Sequence, residues 1–151
     1  MAISVYTTDE DLVAIRPDIL SLGGQNFVDW SAKHEEAFKL INRVLIGRWY
    51  KEAAADRGFD YRTTPFDPDK LQAADVTTLS AYKTLELIYI YLMTNTPKES
   101  GFERQATLFR NLYNEELRNV LAIGVSYDWD DSDTFTDAEV YDRVPRRLTR
   151  V

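Results

Sequence analysis

The stretch from Asp75 to Gly124, DVTTLSAYKTLELIYIYLMTNTPKESGFERQATLFRNLYNEELRNVLAIG, decides the fold. Its apolar residues recur at helical spacing: Leu79, Tyr82, Leu85, Ile88, Tyr89 and Leu92, then Phe102, Ala106, Phe109, Tyr113, Leu117 and Val120. That spacing predicts one helix from about Asp75 to Met93 and another capped by Ser100 and closed by Gly124. Asn95-Thr96-Pro97 stops the first of them. Leu108, Leu112 and Ala122 widen the second stripe, so each helix is expected to touch two neighbours, in a compact bundle or at a subunit interface.

Two more helical signals lie upstream. Thr7-Thr8 followed by Asp9-Glu10-Asp11 reads as a helix start, with hydroxyls for orphan amides and carboxylates at the positive end of the dipole. A short helix to about Arg16, then a turn over Asp18-Ile19-Leu20-Ser21-Leu22 ended by Gly23-Gly24, forms a small amino-terminal clasp. From Asp29 or Ser31, the apolar positions Ala37, Phe38, Ile41, Val44, Leu45 and Trp49 predict a longer helix ending between Tyr50 and Ala55. Residues 56 to 69, with Gly58, Pro65 and Pro68, read as an ordered loop in which Pro68 opens a turn.

Composition sets the outer bounds. The chain has 151 residues, no cysteine, one histidine, and 18 basic against 25 acidic side chains. One independently folded domain is expected at this length, with 19 aromatic residues to fill its core. The lack of cysteine removes disulfides, thiolate nucleophiles and cysteine-ligated metals, and no cofactor is expected. The net charge of −7 argues against a general grip on nucleic acid. The opening MAISVYTTDEDL has acidic residues and no basic lead, the reverse of a signal peptide. The longest apolar run, Leu87 to Met93, falls far short of the roughly 20 residues that span a bilayer, so a soluble chain with no membrane partner is expected.

After Gly124 the pattern changes. Val125-Ser126-Tyr127-Asp128-Trp129 alternates with period two and predicts a short strand or hairpin. Seven acidic residues and no basic one lie between 128 and 142, and the last nine residues carry Arg143, Arg146, Arg147 and Arg150. The charge therefore splits into −4 on residues 1 to 127, −7 on the acidic loop and +4 on the end. The sequence-based architecture is mainly α: about four helices in a compact bundle over residues 1 to 124, then a strand, an acidic loop and an extended basic tail over 125 to 151.

Three features invite chemistry. Asp128, Asp130, Ser132 and Glu139 stand at positions 1, 3, 5 and 12 of a calcium loop, with Thr136 at position 9. Position 6 wants glycine for its sharp turn and holds Asp133, and the preceding residues read as strand, so a solvated acidic hairpin loop is the plainer reading. His34, beside Glu35 on the second helix, has no second histidine, cysteine or well-placed serine to complete a catalytic set, and reads as a packing or surface residue. Trp30, Trp49 and the tyrosines suit stacking on sugars or bases, but without a basic groove they read as core and interface residues. The tail pairs arginine forks with Leu148 and Val151, which is the chemistry of an extended docking segment or of a solvated end.

The order of these features is similar to that of a known family. Tyr6-Thr7-Thr8-Asp9-Glu10-Asp11-Leu12 with Arg16-Pro17 behind it resembles the start of the small helical head-to-tail connector proteins of tailed bacteriophages, also called adaptor or head-completion proteins. The paired long helices, the tyrosine-rich Leu85 to Leu92 segment, the strand-like Val125 to Trp129 with its acidic turn and the arginine-rich end extend the resemblance over most of the chain, as spacings and residue classes. The resemblance implies a non-enzymatic virion protein of the phage neck, present in the host cytoplasm during assembly. It implies a ring, usually of twelve copies, that sits on the portal, meets a downstream neck or tail protein and lets packaged DNA pass without sequence-specific binding. The tail would dock on the portal through Arg143, Arg146, Arg147, Leu148, Arg150 and Val151. The acidic balance suits a conduit along which DNA slides without sticking. The 56 to 69 loop is longer than a minimal connector needs and offers a contact to a neighbouring neck protein. Two other functions remain open at this point: a calcium-responsive binding module built on Asp128 to Glu139, and a different neck protein such as a stopper or tail terminator.

Overall fold

A computed structural model describes residues 2–96 and 100–143. Helix α1 spans Asp9–Ile15, and a 3-10 turn over Ile19–Gly23 completes the clasp. Helix α2 (Ser31–Leu45), a π turn (Ile46–Tyr50) and helix α3 (Lys51–Asp56) follow one another without a break. After short 3-10 turns at Pro68–Lys70 and Ala73–Asp75 come α4 (Thr77–Asn95) and α5 (Ser100–Ile123). The fold is mainly α and compact, and the helices begin and end within a few residues of the sequence-based expectation.

Each start has a local cause. The Thr8 backbone N–H donates to the Asp11 carboxylate at 2.8 Å, which fixes the entry to α1. Asp29 accepts from the Ser31 N–H at 3.0 Å ahead of α2, and hydrogen bonding from the Ser31 side chain, then from its backbone, holds the Asp29 carboxyl below the ordinary value. Asp67 caps the Pro68 turn by accepting from the Asp69 N–H.

Helices α4 and α5 form an antiparallel hairpin, as the pairs Tyr89–Phe102, Tyr82–Phe109 and Glu86–Arg110 show. Helix α4 is the centre of the molecule: Leu79, Ser80, Ala81, Leu85, Ile88, Tyr89 and Leu92 are all buried, which is why its apolar stripe is too wide for one neighbour. One part of the core gathers Leu12, Ile19 and Trp30 of the clasp region against Leu85, Ile88, Tyr89 and Phe109. The other gathers Ile41, Leu45, Trp49 and Tyr50 against Val76, Leu79, Leu117, Val120, Val125 and Tyr127. Glu86 is buried between them in charge but not in isolation, with Lys83 at 2.9 Å and Arg110 at 3.0 Å. Among the described residues, no helix is long and apolar enough to cross a membrane.

Two local features differ from the sequence reading. The 31–56 rod is not one regular α-helix: the π turn inserts an extra residue, and both Trp49 and its neighbour Tyr50 become buried. The extended Val125 to Trp129 segment is present, but it pairs through two isolated antiparallel bridges, Leu71 with Tyr127 and Val125 with Asp142, and no regular strand forms among the described residues. Its period-two pattern has another origin than a half-buried sheet. Val125, Ser126, Tyr127 and Asp128 are all buried, because the segment threads between residues 70–72 and 139–142 and bonds to both.

Candidate functional site

The acidic region begins at Gly124, which ends α5 with φ at 95°. A side chain there would collide with the backbone carbonyls of Tyr141 and Asp142, so glycine also lets the returning chain lie against the helix end. From that point the carboxylates fold their own loop. Asp128 accepts from the Ser132 N–H at 3.1 Å and the Asp133 N–H at 2.9 Å. Glu139 accepts from the N–H groups of Trp129 at 2.8 Å and Asp130 at 3.3 Å, and from both the N–H and hydroxyl of Thr136 at 2.8 Å. Burial pushes the Glu139 carboxyl up, but these bonds outweigh it and hold it below its ordinary value. The Ser132 side chain bond, joined by others within the loop, likewise lowers Asp130.

Asp133 makes the sharp turn without glycine, at φ 58°, and Asp131 stands at φ 61°. Of the four residues with calcium-loop spacing, Asp128, Asp130 and Glu139 place one carboxylate oxygen each within 4.8 Å of one another. Ser132 is engaged otherwise, its hydroxyl bonding to Thr134. The three carboxylates are the residues that could hold a divalent ion. Their other role is visible in the geometry: backbone amides meet the charge of the two buried ones.

The loop closes on Asp142. Its carboxylate accepts from Arg57 Nε at 3.1 Å and Trp129 Nε1 at 3.2 Å, and its carbonyl accepts from Trp49 Nε1 at 2.9 Å. Arg57 also lies 5.0 Å over the Trp129 ring. The basic tail therefore leaves from an anchored residue. Arg143 follows directly and is exposed. Arg146, Arg147, Leu148, Arg150 and Val151 lie outside the described residues. Nothing in the sequence pattern pointed to Arg57 as the partner of Asp142, because the two are 85 positions apart.

His34 also acquires partners that spacing did not reveal. Its Nδ1 lies 2.8 Å from Thr7 Oγ1 and its Nε2 lies 2.9 Å from Asp9 Oδ1, while Thr7 Oγ1 continues to Ser80 Oγ at 3.2 Å. A carboxylate only accepts, so Nε2–H donates to Asp9, while Nδ1 shares its hydrogen bond with the Thr7 hydroxyl. The order of groups is that of a nucleophile, a base and an orienting acid. Thr7 is 2% exposed and Ser80 fully buried, and the relay fastens the amino-terminal segment to α2 and α4 as a satisfied polar network, with Thr7, Asp9 and His34 on the wall of a cavity of about 460 Å³. Of the packing and surface readings that the sequence left open for His34, its burial matches the packing one.

No protein-family model matches the chain, and no curated protein or solved structure matches it significantly.

Proposed function

We propose that this chain is a non-enzymatic structural adaptor of a phage neck, a ring-forming subunit that joins the portal to the tail. The observation that supports it is the rigid base of the basic tail: Asp142 is held by two tryptophans and an arginine, and four arginines follow it. A charged segment on a fixed root is what docking on a large partner requires, since the root limits the entropy lost on binding. In this reading Arg143, Arg146, Arg147 and Arg150 meet carboxylates on the portal, and Leu148 and Val151 are apolar anchors. Neighbouring copies complete a ring, usually of twelve, a downstream neck or tail protein binds below, and packaged DNA passes through an acidic conduit. The site of action is the virion neck, reached from the host cytoplasm during assembly.

Deleting residues 143 to 151 keeps Asp142 and its three partners, so the bundle is expected to stay folded while co-assembly with the portal is lost. Undiminished co-assembly of the shortened chain overturns the proposal. A second reading, a calcium-responsive binding module, is favoured by one observation, the convergence of Asp128, Asp130 and Glu139. Titration calorimetry separates the two: absence of heat at millimolar calcium removes the second reading, because even weak calcium modules bind at roughly 10⁻⁴ to 10⁻³ M.

A further inference from the structure

We infer that the end of the chain, residues 144 to 151, has a docking place on its own subunit, an aromatic cleft between the 59–70 loop and Trp129, which it occupies until a partner draws it out. Only the release step rests on the portal-docking reading; the place of the tail does not. The cleft has a volume of about 410 Å³ and is walled by Tyr50, Phe59, Phe66, Tyr127 and Trp129, with Asp67 and Lys70 also in its lining, the lysine paired with Asp131 at 3.3 Å.

Three observations select the occupant. The first is position. Trp129 bonds through Nε1 to the Asp142 carboxylate, so the tail starts one residue beyond a group that touches the cleft wall. The eight residues 144 to 151 extend at most roughly 26 to 29 Å, ample for a cleft that begins at their root.

The second is chemistry already present. One wall residue, Trp129, already carries an arginine: Arg57 lies 5.0 Å over its ring and pairs with Asp142 at 3.0 Å. The tail supplies Arg146, Arg147 and Arg150 for the same stacking and pairing, and Pro145, Leu148 and Val151 for the aromatic faces. Asp130, Asp133 and Asp137 follow Trp129, are exposed, and make no ion pair among the described residues, so a cationic segment finds uncompensated charge there.

The third is uncovered apolar surface at the same end. Phe59, Phe135, Val140 and Tyr141 are all more than a third exposed, and all lie on the cleft wall or the acidic loop that follows it. A tethered segment covers them at an effective concentration that a free peptide does not reach.

The test uses the full-length chain, which has no cysteine of its own. Thr63→Cys at the cleft rim and Thr149→Cys on the tail are expected to close into an intrachain disulfide at a rate independent of protein concentration. That rate is expected to be about tenfold or more above a control pairing Thr149→Cys with Gln25→Cys on the clasp. Thr64→Cys gives a second rim position should the first disturb the loop. Reversing Arg146, Arg147 and Arg150 to glutamate is expected to slow closure toward the control rate. Closure no faster than the control overturns the inference. Disulfide-linked dimers that rise with concentration overturn it as well, since the cleft then takes the tail of a second copy. Addition of portal is expected to slow closure, and rapid intrachain closure that portal leaves unchanged supports the cleft as the tail's place while removing the portal-docking reading.

Discussion

The clasp at the amino end and the acidic loop at the carboxyl end solve the same problem by opposite means. Each lays non-helical, polar chain on a helical bundle. The clasp does it with bonds between side chains far apart in sequence, Thr7 to His34 and Ser80, and His34 to Asp9. The loop does it with bonds from carboxylates to backbone amides within a few residues, and reaches the bundle at a few anchors such as Asp142. A relay of distant side chains fails as a unit when one member is lost, whereas a loop that satisfies itself fails where its backbone meets the helix. The difference predicts where each region breaks.

The largest effect is expected at the junction of loop and bundle. Gly124→Ala forces a side chain into the left-handed region and against the Tyr141 and Asp142 carbonyls, and is expected to cost at least about 3 kcal/mol, read by chemical denaturation. A smaller loss of about 2 to 3 kcal/mol is expected from Glu139→Ala, which leaves the Trp129, Asp130 and Thr136 donors without their acceptor, and hydrogen exchange should place the damage in residues 128 to 142. Thr7→Val removes two bonds of the relay at near-constant shape. It is expected to cost about 1 to 3 kcal/mol and to raise exchange in the clasp while the acidic loop stays protected. Equal exchange in both regions for either variant would erase the contrast between them.

Acid offers a comparison without mutation. The Glu139 and Asp130 carboxyls lie below their ordinary values in the fold, so the unfolded chain binds more protons as pH falls. Their contribution is present above the ordinary carboxylate range near pH 4 and is lost as pH drops through the lowered folded values. The loop is therefore expected to loosen below that range, which near-ultraviolet circular dichroism of Trp129 would follow. The smallest effect is expected at the turn itself: Asp133→Gly relieves a left-handed aspartate and should stabilise by roughly 0.5 to 1 kcal/mol, with an unchanged Asp133 N–H bond to Asp128.

How much of this was legible in sequence follows from the range of the interactions. The helices were readable because Leu79, Leu85 and Leu92 announce a buried face through their own spacing, and Thr8 with Asp11 announces a helix start within one turn. Of Asp128, Asp130, Ser132 and Glu139, which carry the calcium-like spacing, the three carboxylates converge while the Ser132 hydroxyl bonds to Thr134 instead, and the turn at position 6 forms without glycine. The π turn was hidden because Trp49-Tyr50 fits a regular helix equally well, and only the aromatic cluster with Tyr127 and Trp129 gives both rings a place.

By itself, the sequence determined the helical class, the order of elements and the three-part charge distribution, because periodicity, capping and composition act over a few neighbouring residues. Tertiary structure alone decided that His34 joins Thr7 and Asp9, that Arg57 roots the tail at Asp142, and that an alternating segment becomes a buried thread instead of a strand. Those choices depend on which distant groups share one desolvated space, where every polar atom needs a partner, and spacing along a chain carries no record of that.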